Sequence, residues 1–261
     1  MSDYSEEEGH TQAPTLTQGN AYMRRREREV ASIVRIALSA ESRRTTMKRD
    51  EVAKKLGVSN NSMLGYTILK ASDRMKEVFG YEIKEIPPKE SYKLKELSTF
   101  PKTNAYVVVN TKSDPNNSIE AFAKWENTHL VGVLHTILAI IMGNGGAISD
   151  VQLYIHMKKL GLDQTAKMPG EEKMLLEGFI GQLTRQAYLE KKKSSIGNQD
   201  SEYSWGARAL LEIGEENIGH FIIDIMNKSR RDSRLSQEAV NELNKKVLDD
   251  LQRGVGHEWN S

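Results

Sequence analysis

The chain has 261 residues, enough for one large domain or for two domains of about 100 residues each. Charged residues make up 28%, hydrophobic residues 38%, and the formal net charge is +1, so we expect a soluble globular protein in which any contact with nucleic acid depends on local basic clusters. The absence of cysteine excludes disulfide scaffolds and thiol catalysis. No secretion signal is evident, and the longest apolar run, Leu130–Met142, is too short to span a bilayer, so we expect an intracellular protein with no membrane partner.

The N-terminal third predicts a helix-turn-helix. Residues 1–20 are acidic and nearly free of apolar side chains, so this segment is expected to be disordered. Helical spacing of apolar residues begins near Tyr22. Met47–Leu56 predicts a short amphipathic helix that Gly57 ends, and Ser62–Phe79 predicts a longer helix after the turn. A short helix, a glycine turn and a longer helix form the helix-turn-helix pattern.

Two β-rich runs follow the second of these helices. Tyr81–Ile86 and Ser91–Leu97 flank a Pro-Pro pair and predict the two strands of a hairpin wing, with Tyr106–Val109 as a further β-rich segment. Residues 21–110 are therefore interpreted as one winged-helix unit, and the turn-rich residues 111–127 as a linker.

The same order of elements recurs after the linker. Thr128–Met142 is apolar on nearly every side, which predicts a buried helix. Ser149 is the expected N-cap of a helix that runs to about Leu160. A loop that contains Pro169 leads to the expected recognition helix. Its apolar stripe consists of Leu175, Leu176, Phe179, Ile180 and Leu183.

A second wing and a closing helix complete this unit. Tyr188–Lys193 and Glu202–Trp205 predict the wing strands, and Ala207–Met226 predicts the helix that closes a unit of residues 128–228. The charged tail, residues 229–261, contains an amphipathic helix that could dock on the second unit or on a partner. The predicted fold is mainly α with small β wings: a tandem winged-helix protein, with two helix-turn-helix units that each carry a β-hairpin wing.

Several of these segments resemble the MAGE homology domain family. The matching segments are Met47–Asp50, Ala71–Met75, Val78–Glu85, Gly132–Gly146, Leu175–Leu189 and Tyr203–Ala209. The Trp-Gly-x-Arg-Ala signature at residues 205–209, with an apolar helix and a Tyr-Leu pair upstream, is specific to the family. The resemblance extends from about Tyr22 to Met226, which is nearly all of the chain predicted to be ordered.

The resemblance implies a fold, a function and partners. Most members of the family regulate ubiquitin ligases in animals, but this chain is more similar to the older, single-copy member, the MAGE-like subunit of the SMC five–six genome-stability complex. That resemblance implies a non-enzymatic nuclear adaptor. Its expected partners are the SMC complex, a RING-type ubiquitin-ligase subunit bound chiefly by the first unit, a kleisin subunit bound by the second, and double-stranded DNA.

The resemblance also implies where the protein partners bind. In the family, the RING-type partner packs against two adjacent leucines near the end of the first helix. Here that pair falls on Ala37 and Leu38, so half of the apolar anchor is missing. For the kleisin we expect a helix-in-groove contact on the second unit, at Leu176, Ile180 and Leu183. The apolar stripe does not distinguish residues that face a partner from residues that face the core.

The candidate DNA-binding residues are basic side chains of the second unit. They are Lys191, Lys192 and Lys193 in the first wing strand, Arg185 before it, and Lys158 and Lys159 at the end of the preceding helix. Such groups neutralise phosphates and release counterions, which gives salt-dependent and sequence-tolerant affinity. A solvated charge run is the alternative interpretation. The expected recognition helix does not favour base readout, since its polar positions are Glu171, Glu172, Glu177, Gly178 and Gly181.

Other basic residues and the signature residues have more than one interpretation. The first unit carries Arg43, Arg44, Lys48, Arg49, Lys54 and Lys55, which could contact DNA, although the apolar helix after them favours core or a protein interface. Arg24–Arg28 could form a phosphate-binding arm, a nuclear-import signal or a solvated helical turn. Trp205 is expected in the core, where its indole N–H needs an acceptor, and Arg208 is expected to orient the same corner.

No pattern indicates catalysis. Gly143–Gly146 is not followed by Gly-Lys-Ser/Thr, the six histidines have no metal-ligand spacing, and no Gly-x-Ser-x-Gly elbow occurs. We therefore expect no enzymatic activity, cofactor, metal or small-molecule substrate. The leading function is a DNA-binding scaffold subunit of the SMC five–six complex. The alternatives are a MAGE-type ubiquitin-ligase cofactor that does not touch DNA and a tandem winged-helix transcription factor.

Overall fold

The first half of the chain forms a helical unit with a small antiparallel sheet. The computed structural model describes residues 16–58, 61–86, 104–111, 128–193, 201–229 and 236–256. In the first unit the elements are α1 (Leu16–Ser42), β1 (Met47–Lys48), α2 (Arg49–Leu56), α3 (Asn61–Phe79), β2 (Tyr81–Glu85) and β3 (Ala105–Asn110). Helix α1 thus begins at Leu16, inside the segment predicted to be disordered, while residues 1–15 lie outside the described residues.

The core of the first unit lies between α1, α3 and the sheet. Ile33 and Ala37 of α1 meet Leu64 and Met75 of α3, and all four side chains are buried. These residues recur at intervals that place them on one face of each helix, as the apolar spacing predicted. Gly57 ends α2 with a φ of 65°, the left-handed conformation that glycine adopts at little cost.

Among the described residues, the first unit has a small antiparallel sheet of three strands. Strand β2 pairs with β3, and the antiparallel sheet has the order β1-β3-β2, with Ile83 opposite Val108 and Met47 opposite Tyr106. Strand β3 is central, so it is buried on both faces, which explains its continuous apolar run. The predicted partner strand Ser91–Leu97 lies outside the described residues, as do residues 112–127 of the linker.

The second unit repeats the arrangement with an additional hairpin. Its elements are α4 (Thr128–Gly143), β4 (Ala147–Ser149), α5 (Asp150–Lys159), β5 (Lys167–Met168), β6 (Glu171–Leu175), α6 (Leu176–Arg185), β7 (Leu189–Lys193), β8 (Ser201–Trp205), a π-helical turn (Ala209–Ile213) and α7 (Glu215–Ser229). The sheet order is β4-β8-β7. The predicted cap is confirmed: the Ser149 hydroxyl oxygen accepts a hydrogen bond from the Gln152 N–H at 3.3 Å.

Helix α4 is the centre of the second core. Leu134, Ile137 and Leu138 are fully buried and pack with Phe179 of α6 and the neighbouring sheet. Trp205 is 7% exposed, and its indole N–H donates to the Leu138 carbonyl at 3.0 Å. The predicted core position of this tryptophan, and the need of its N–H for an acceptor, are both confirmed.

Two segments of the second unit were predicted wrongly. Glu171, Glu172 and Leu175 belong to β6 and not to the recognition helix, and Leu175 is 44% exposed. The hairpin turns at Gly170, whose φ of 74° favours glycine. The closing helix is not continuous either, because Gly214, with a φ of 78°, separates the π-helical turn from α7.

The tail docks on the second unit. Helix α8 (Gln237–Val255) packs on α4 and α7, so the first of the two sequence-based alternatives for this helix is the one observed. Ser236 caps it, accepting a hydrogen bond from the Ala239 N–H at 3.3 Å. Within the described residues, no helix combines the length and the apolar character needed to cross a bilayer.

The buried histidine of α4 predicts a pH dependence of stability. His135 is 4% exposed beside Phe221, and burial lowers its pKa from 6.5 to about 4. Because the unfolded imidazole binds a proton near its ordinary pKa and the folded one does not, stability is lost as the pH falls from about 6.5 towards 4. Between about pH 7 and about pH 5 this group is expected to remove about 2 kcal/mol from the free energy of unfolding.

Urea unfolding at the two pH values checks this, with His135→Leu as the comparison because leucine cannot titrate. The variant should lose less stability than the parent chain over the same interval. An equal loss in both proteins would show that His135 is not the responsible group.

Candidate nucleic-acid interface and inter-unit junction

The basic run of the second wing lies at the end of β7. Leu189 at the start of the strand is buried, whereas Lys191, Lys192 and Lys193 are exposed. Lys191 Nζ lies 3.4 Å from Asp150 Oδ2 at the start of α5, and also above the ring of Tyr203, 5.1 Å from its centroid. A hydrogen bond with the Tyr203 hydroxyl, and then the charge of Asp150, raise the pKa of Lys191. This lysine is therefore held in place, and its charge is partly balanced.

The next two lysines differ from Lys191. Lys192 lies opposite Glu202 in the sheet register, and Lys193 lies opposite Ser201. Neither lysine forms an ion pair within the part of the chain that the structure describes. Successive side chains of a strand point to opposite faces, so the two ammonium groups project from the two sides of the wing.

The other predicted DNA-binding residues are not gathered around the wing. Lys158 Nζ lies 3.9 Å from Asp163 Oδ2, near the C-terminal end of α5. Since a helix rises about 1.5 Å per residue, Lys158 is about 12 Å along the axis from Asp150, the residue that contacts Lys191. Lys159 shares this helix end, where positive charge also stabilises the helix dipole. Arg185 is exposed at the end of α6, next to the start of β7 and away from Lys193.

The recognition helix offers little for reading bases. With Glu171 and Glu172 placed on β6, the exposed residues at the start of α6 are Glu177 and Gly178. A glycine has no side chain to reach a base edge, and a glutamate repels phosphates. The geometry of α6 therefore agrees with the expectation that any DNA contact is made to the backbone.

In the first unit, two of the candidate basic residues are withdrawn from the surface. Arg49 is buried and donates to the Tyr106 hydroxyl at 3.0 Å. Arg44 is turned towards the second unit and pairs there with Glu212 at 3.1 Å. Lys48 lies 3.8 Å from Glu51. Arg43, Lys54 and Lys55 stay exposed. Only some of these six basic side chains are therefore free to contact DNA, as the preference for core or a protein interface in this unit suggested.

Among the basic residues of α1, Arg25 and Arg26 both pair with Glu29, at 3.2 Å and 3.1 Å. Arg26 also lies above the ring of Tyr22, while Arg24 and Arg28 are exposed. This arrangement agrees with the solvated helical turn among the three interpretations of the segment. It does not test the other two.

The most completely built polar site joins the two units. We call it the inter-unit junction, and it consists of Glu41 and Arg44 from the first unit and Tyr188, Arg208 and Glu212 from the second. The Arg208 side chain is 0% exposed, and its Nη1 donates to Glu212 Oε1 at 2.8 Å and to Glu41 Oε2 at 3.4 Å. Two arginines and two glutamates make the junction formally neutral, which offsets the cost of burying four charges.

Arg208 also binds the backbone of both units. Its Nη1 donates to the Val108 carbonyl at 3.1 Å and its Nη2 to the Thr45 carbonyl at 3.4 Å, both in the first unit. Its Nε donates to the Gln186 carbonyl at 3.0 Å in the second. The predicted role of Arg208 in orienting a corner of the fold is therefore extended: this side chain connects the two units.

The remaining junction residues complete the network. The Tyr188 hydroxyl donates to Glu212 and accepts from Arg44, whose Nη1 also lies 3.3 Å from Glu41. Burial and the charge of Glu212 raise the pKa of Tyr188 well above its ordinary value, so this phenol stays protonated. Burial lowers the pKa of Arg44, but the charges of Tyr188, Glu212 and Glu41 raise it by a larger amount. The pKa of Arg44 is therefore raised above its ordinary value. Glu41 and Glu212 were not predicted as site residues; the four-residue spacing of Arg208 and Glu212 was the available signal.

The predicted partner-binding residues lie in the cores. Ala37, Leu176, Ile180 and Leu183 are at most 1% exposed, because each apolar stripe faces the interior of its own unit. Leu38 is partly buried against the core of the first unit. In this conformation a partner can reach only Leu38 among the five, so the other four are not contact residues on the folded surface.

No metal-binding cluster of three or more histidine or acidic side chains occurs in the described ranges. What the chain does present is two winged-helix units joined by a buried, charge-balanced network, with basic side chains on the second wing. The fold and this site define a tandem winged-helix protein. A family model described as the MAGE homology domain matches residues 33–216, more than half of the sequence, and the chain belongs to that family.

Individual relatives agree with this assignment. The chain is 24% identical over 210 residues to a human protein named non-structural maintenance of chromosomes element 3 homolog, a match that covers 79% of this chain and 63% of the human protein. The mouse homolog of the same name is 24% identical over 227 residues, covering 84% and 73%. The match thus spans less than two thirds of the human relative's length.

A solved structure shows the same fold. A chain of a structure titled Nse1-Nse3-Nse4 complex superimposes with a TM-score of 0.61 at 17% identity, covering 90% of this chain and 99% of that chain. The similarity therefore extends over both winged-helix units and beyond the residues that the family model matches.

Proposed function

We propose that this chain is a non-enzymatic scaffold subunit of the SMC five–six chromosome-maintenance complex, and that it acts in the nucleus. Its similarity to two relatives named non-structural maintenance of chromosomes element 3 homolog carries the proposal. The fold match to a chain of the Nse1-Nse3-Nse4 complex supports it. In this role the chain bridges a RING-type ubiquitin-ligase subunit and a kleisin.

The inter-unit junction suits a bridging protein. A scaffold that binds one partner on each unit fixes the geometry of both partners only if the units hold a fixed orientation. Arg208 contacts the side chain of Glu41 and the carbonyls of Thr45 and Val108, so one buried residue sets that orientation. In some proteins a buried ionic network fixes one arrangement of the packed elements, and we propose that role for this junction.

For the RING-type partner, the surface of the first unit offers a better contact than the buried Ala37. Apolar side chains that are more than half exposed lie on α1 and α3: Tyr22, Met23, Tyr66 and Leu69. Arg26 Nη1 lies 3.4 Å from Thr67 Oγ1, which brings these parts of the two helices together. We infer that exposed apolar side chains of α1 and α3, rather than the buried Ala37, form the main contact.

The second part of the proposal is sequence-independent binding of duplex DNA by the second wing. The exposed Lys192 and Lys193, which make no ion pair among the described residues, support it. The structure assigns Lys191 to Asp150 and Tyr203, so we expect it to support the wing more than to contact phosphate. Without suitable side chains at the start of α6, affinity should depend on salt and not on sequence.

The test is a salt titration of binding to unrelated duplexes, with the purified chain alone and with its protein partners. Lys192→Glu/Lys193→Glu should weaken binding to every duplex and reduce the slope of log affinity against log salt by about 2. The matched control is Lys245→Glu/Lys246→Glu, which makes the same charge change on an exposed part of α8. If both variants lose affinity equally, the loss reflects the change in net charge and not a contact made by the wing. If the unmodified chain binds no duplex, either alone or with its protein partners, the chain is a protein adaptor without DNA contact.

A further inference from the structure

The solvent-facing side of α1 carries a row of arginines. Arg24, Arg28 and Arg35 are all exposed. Because a helix turns by about 100° per residue and rises about 1.5 Å, the three positions lie within about 40° of one another around the axis and span about 16 Å along it. They point away from Ile33 and Ala37, which face the core of the first unit. We call this row the arginine face.

Neighbouring acids do not neutralise the arginine face. None of its three arginines forms an ion pair among the residues that the structure describes. Of the acids of α1, Glu29 pairs with two other arginines of the helix, and Glu41 is buried in the inter-unit junction. Glu27 is exposed but lies on the flank, about 60° around the axis from Arg24. The face therefore keeps its positive charge.

Basic side chains continue past the C-terminal end of α1. A cavity of about 70 Å³ lies there, and its lining includes Arg43, Lys48, Glu51 and Lys55. Lys48 and Glu51 pair at 3.8 Å, so Arg43 and Lys55 supply the unbalanced charge. The volume is several times the roughly 10–15 Å³ that one water requires, so a single phosphate group fits in the cavity.

The composition of the arginine face favours a polyanion over a protein. The exposed residues among its arginines include the small Ala21, Ala31 and Ser39. Tyr22 and Met23, the exposed large apolar residues of α1, are turned by about 100° or more from the nearest arginine of the face. A protein interface is built around buried apolar anchors, which this face lacks. A nucleic-acid backbone requires only spaced positive charge, and a duplex carries about one phosphate charge per 1.7 Å of its axis.

We propose that the arginine face and the cavity beyond it form a second contact with duplex DNA, made to the phosphate backbone by the first unit. The arginine face meets phosphates along the duplex, while Arg43 and Lys55 hold one more phosphate in the cavity. The inter-unit junction connects the end of α1 to the residue before β7, through Arg44 and Tyr188 at 3.3 Å. One duplex of sufficient length therefore meets both this contact and the second wing. The proposal extends DNA binding to the first unit and does not rest on the wing lysines.

Binding of unrelated labelled duplexes by the full chain, alone and with its protein partners, tests the proposal. Arg24→Gln/Arg28→Gln preserves the helix, since glutamine favours helix about as well as arginine does. It should weaken binding at least tenfold at about 0.1 M salt and reduce the slope of log affinity against log salt by about 2. The matched control Lys245→Gln/Lys246→Gln makes the same change in net charge on exposed residues of α8, and it should change the affinity less than about twofold.

The same substitutions in the Lys192→Glu/Lys193→Glu background separate this contact from the wing. The proposal predicts a further loss of affinity there, whatever the wing substitutions do alone. It is overturned if Arg24→Gln/Arg28→Gln binds every duplex as the unmodified chain does, or if the unmodified chain binds none. It is also overturned if these substitutions weaken assembly with the protein partners and leave the affinity for DNA unchanged, because the face would then belong to a protein interface.

The absence of cysteine from the chain allows the contact to be mapped directly. Ala31→Cys places a single thiol within the arginine face, and a photo-crosslinker attached to it should react with a bound duplex. The control Asn241→Cys carries the same group on an exposed part of α8 and should give no cross-link above background. If position 31 gives no more cross-link than position 241 while the chain is bound to the duplex, the arginine face does not contact DNA.

Discussion

Replacing Arg208 with methionine is expected to lower the free energy of unfolding by about 3–5 kcal/mol, because it leaves Glu41 and Glu212 buried with an excess negative charge. Methionine is long and unbranched, so it fills most of the space without supplying a charge or a donor. The carbonyls of Thr45, Val108 and Gln186 also lose their donor. Since two of them belong to the first unit, the variant should unfold in two separate transitions, one for each unit.

Urea unfolding followed by circular dichroism and tryptophan fluorescence measures both effects. Arg253→Met, at an exposed arginine of α8, is the control and should cost less than about 1 kcal/mol. Adding Glu212→Gln to Arg208→Met restores the charge balance with Arg44 and Glu41, so part of the lost stability should return. A loss below about 1 kcal/mol for Arg208→Met alone would show that the junction does not hold the units together.

Replacing Gly206 with alanine is expected to cost about 3 kcal/mol or more. A Cβ at this position would lie 2.2 Å from the Ala187 carbonyl oxygen, far inside van der Waals contact. The two segments cannot simply separate. The Gly206 N–H donates to the Tyr188 carbonyl at 2.8 Å, and the Arg208 N–H donates to the Ala187 carbonyl at 2.9 Å. Ala187 already has a φ of 62°, so the turn that must yield is itself strained.

The comparison for Gly206 is Gly178→Ala, because an added Cβ at Gly178 would meet no atom within 4 Å. Alanine inside a helix is favoured over glycine by roughly 0.5–1 kcal/mol, so this variant should be as stable as the unmodified chain or more stable. The measurement is the melting temperature of each variant, which should be lower for Gly206→Ala than for Gly178→Ala. Equal melting temperatures for both would mean that the Gly206 contact relaxes without cost.

These two predictions give a physical meaning to the signature at residues 205–209. Trp205 fills the second core and donates to Leu138, Gly206 allows the backbone of Ala187 to approach, and Arg208 connects the units. The core position of Trp205 was predictable because an aromatic residue at the end of a wing strand usually packs on the helix below it. Only a local role was predictable for Arg208, since its partners Glu41 and Val108 lie at least 100 residues away in the chain.

The elements predicted correctly are those that depend on neighbouring residues. The cap at Ser149, the end of α2 at Gly57 and the apolar helix α4 follow from local hydrogen bonding, φ preference and periodicity. The pairing of β2 with β3 was not predicted, because about 20 residues separate the two strands and local patterns do not specify which distant strands pair. The hairpin of β5 and β6 was missed because Glu171–Leu175 has too few apolar residues to suggest a strand.

The candidate site was harder to predict because residue type does not reveal burial. Arg44 and Arg49 look like surface charges in the sequence, yet both are used inside the protein, one at the junction and one beneath Tyr106. The stripe of Leu176, Ile180 and Leu183 has the same spacing whether it faces a partner or the core, and the structure places it in the core. The wing lysines remain exposed as expected, although Lys191 is paired with Asp150.

Native mass spectrometry of a reconstituted assembly tests the scaffold function most directly. The chain would be co-expressed with the RING-type ubiquitin-ligase subunit and the kleisin of its own organism, and purified after nuclease treatment so that DNA does not connect the proteins. The scaffold account predicts one species that contains a single copy of each of the three proteins. The account would be contradicted if the chain were recovered alone, or if it bound either partner but never both, while the two partners were folded.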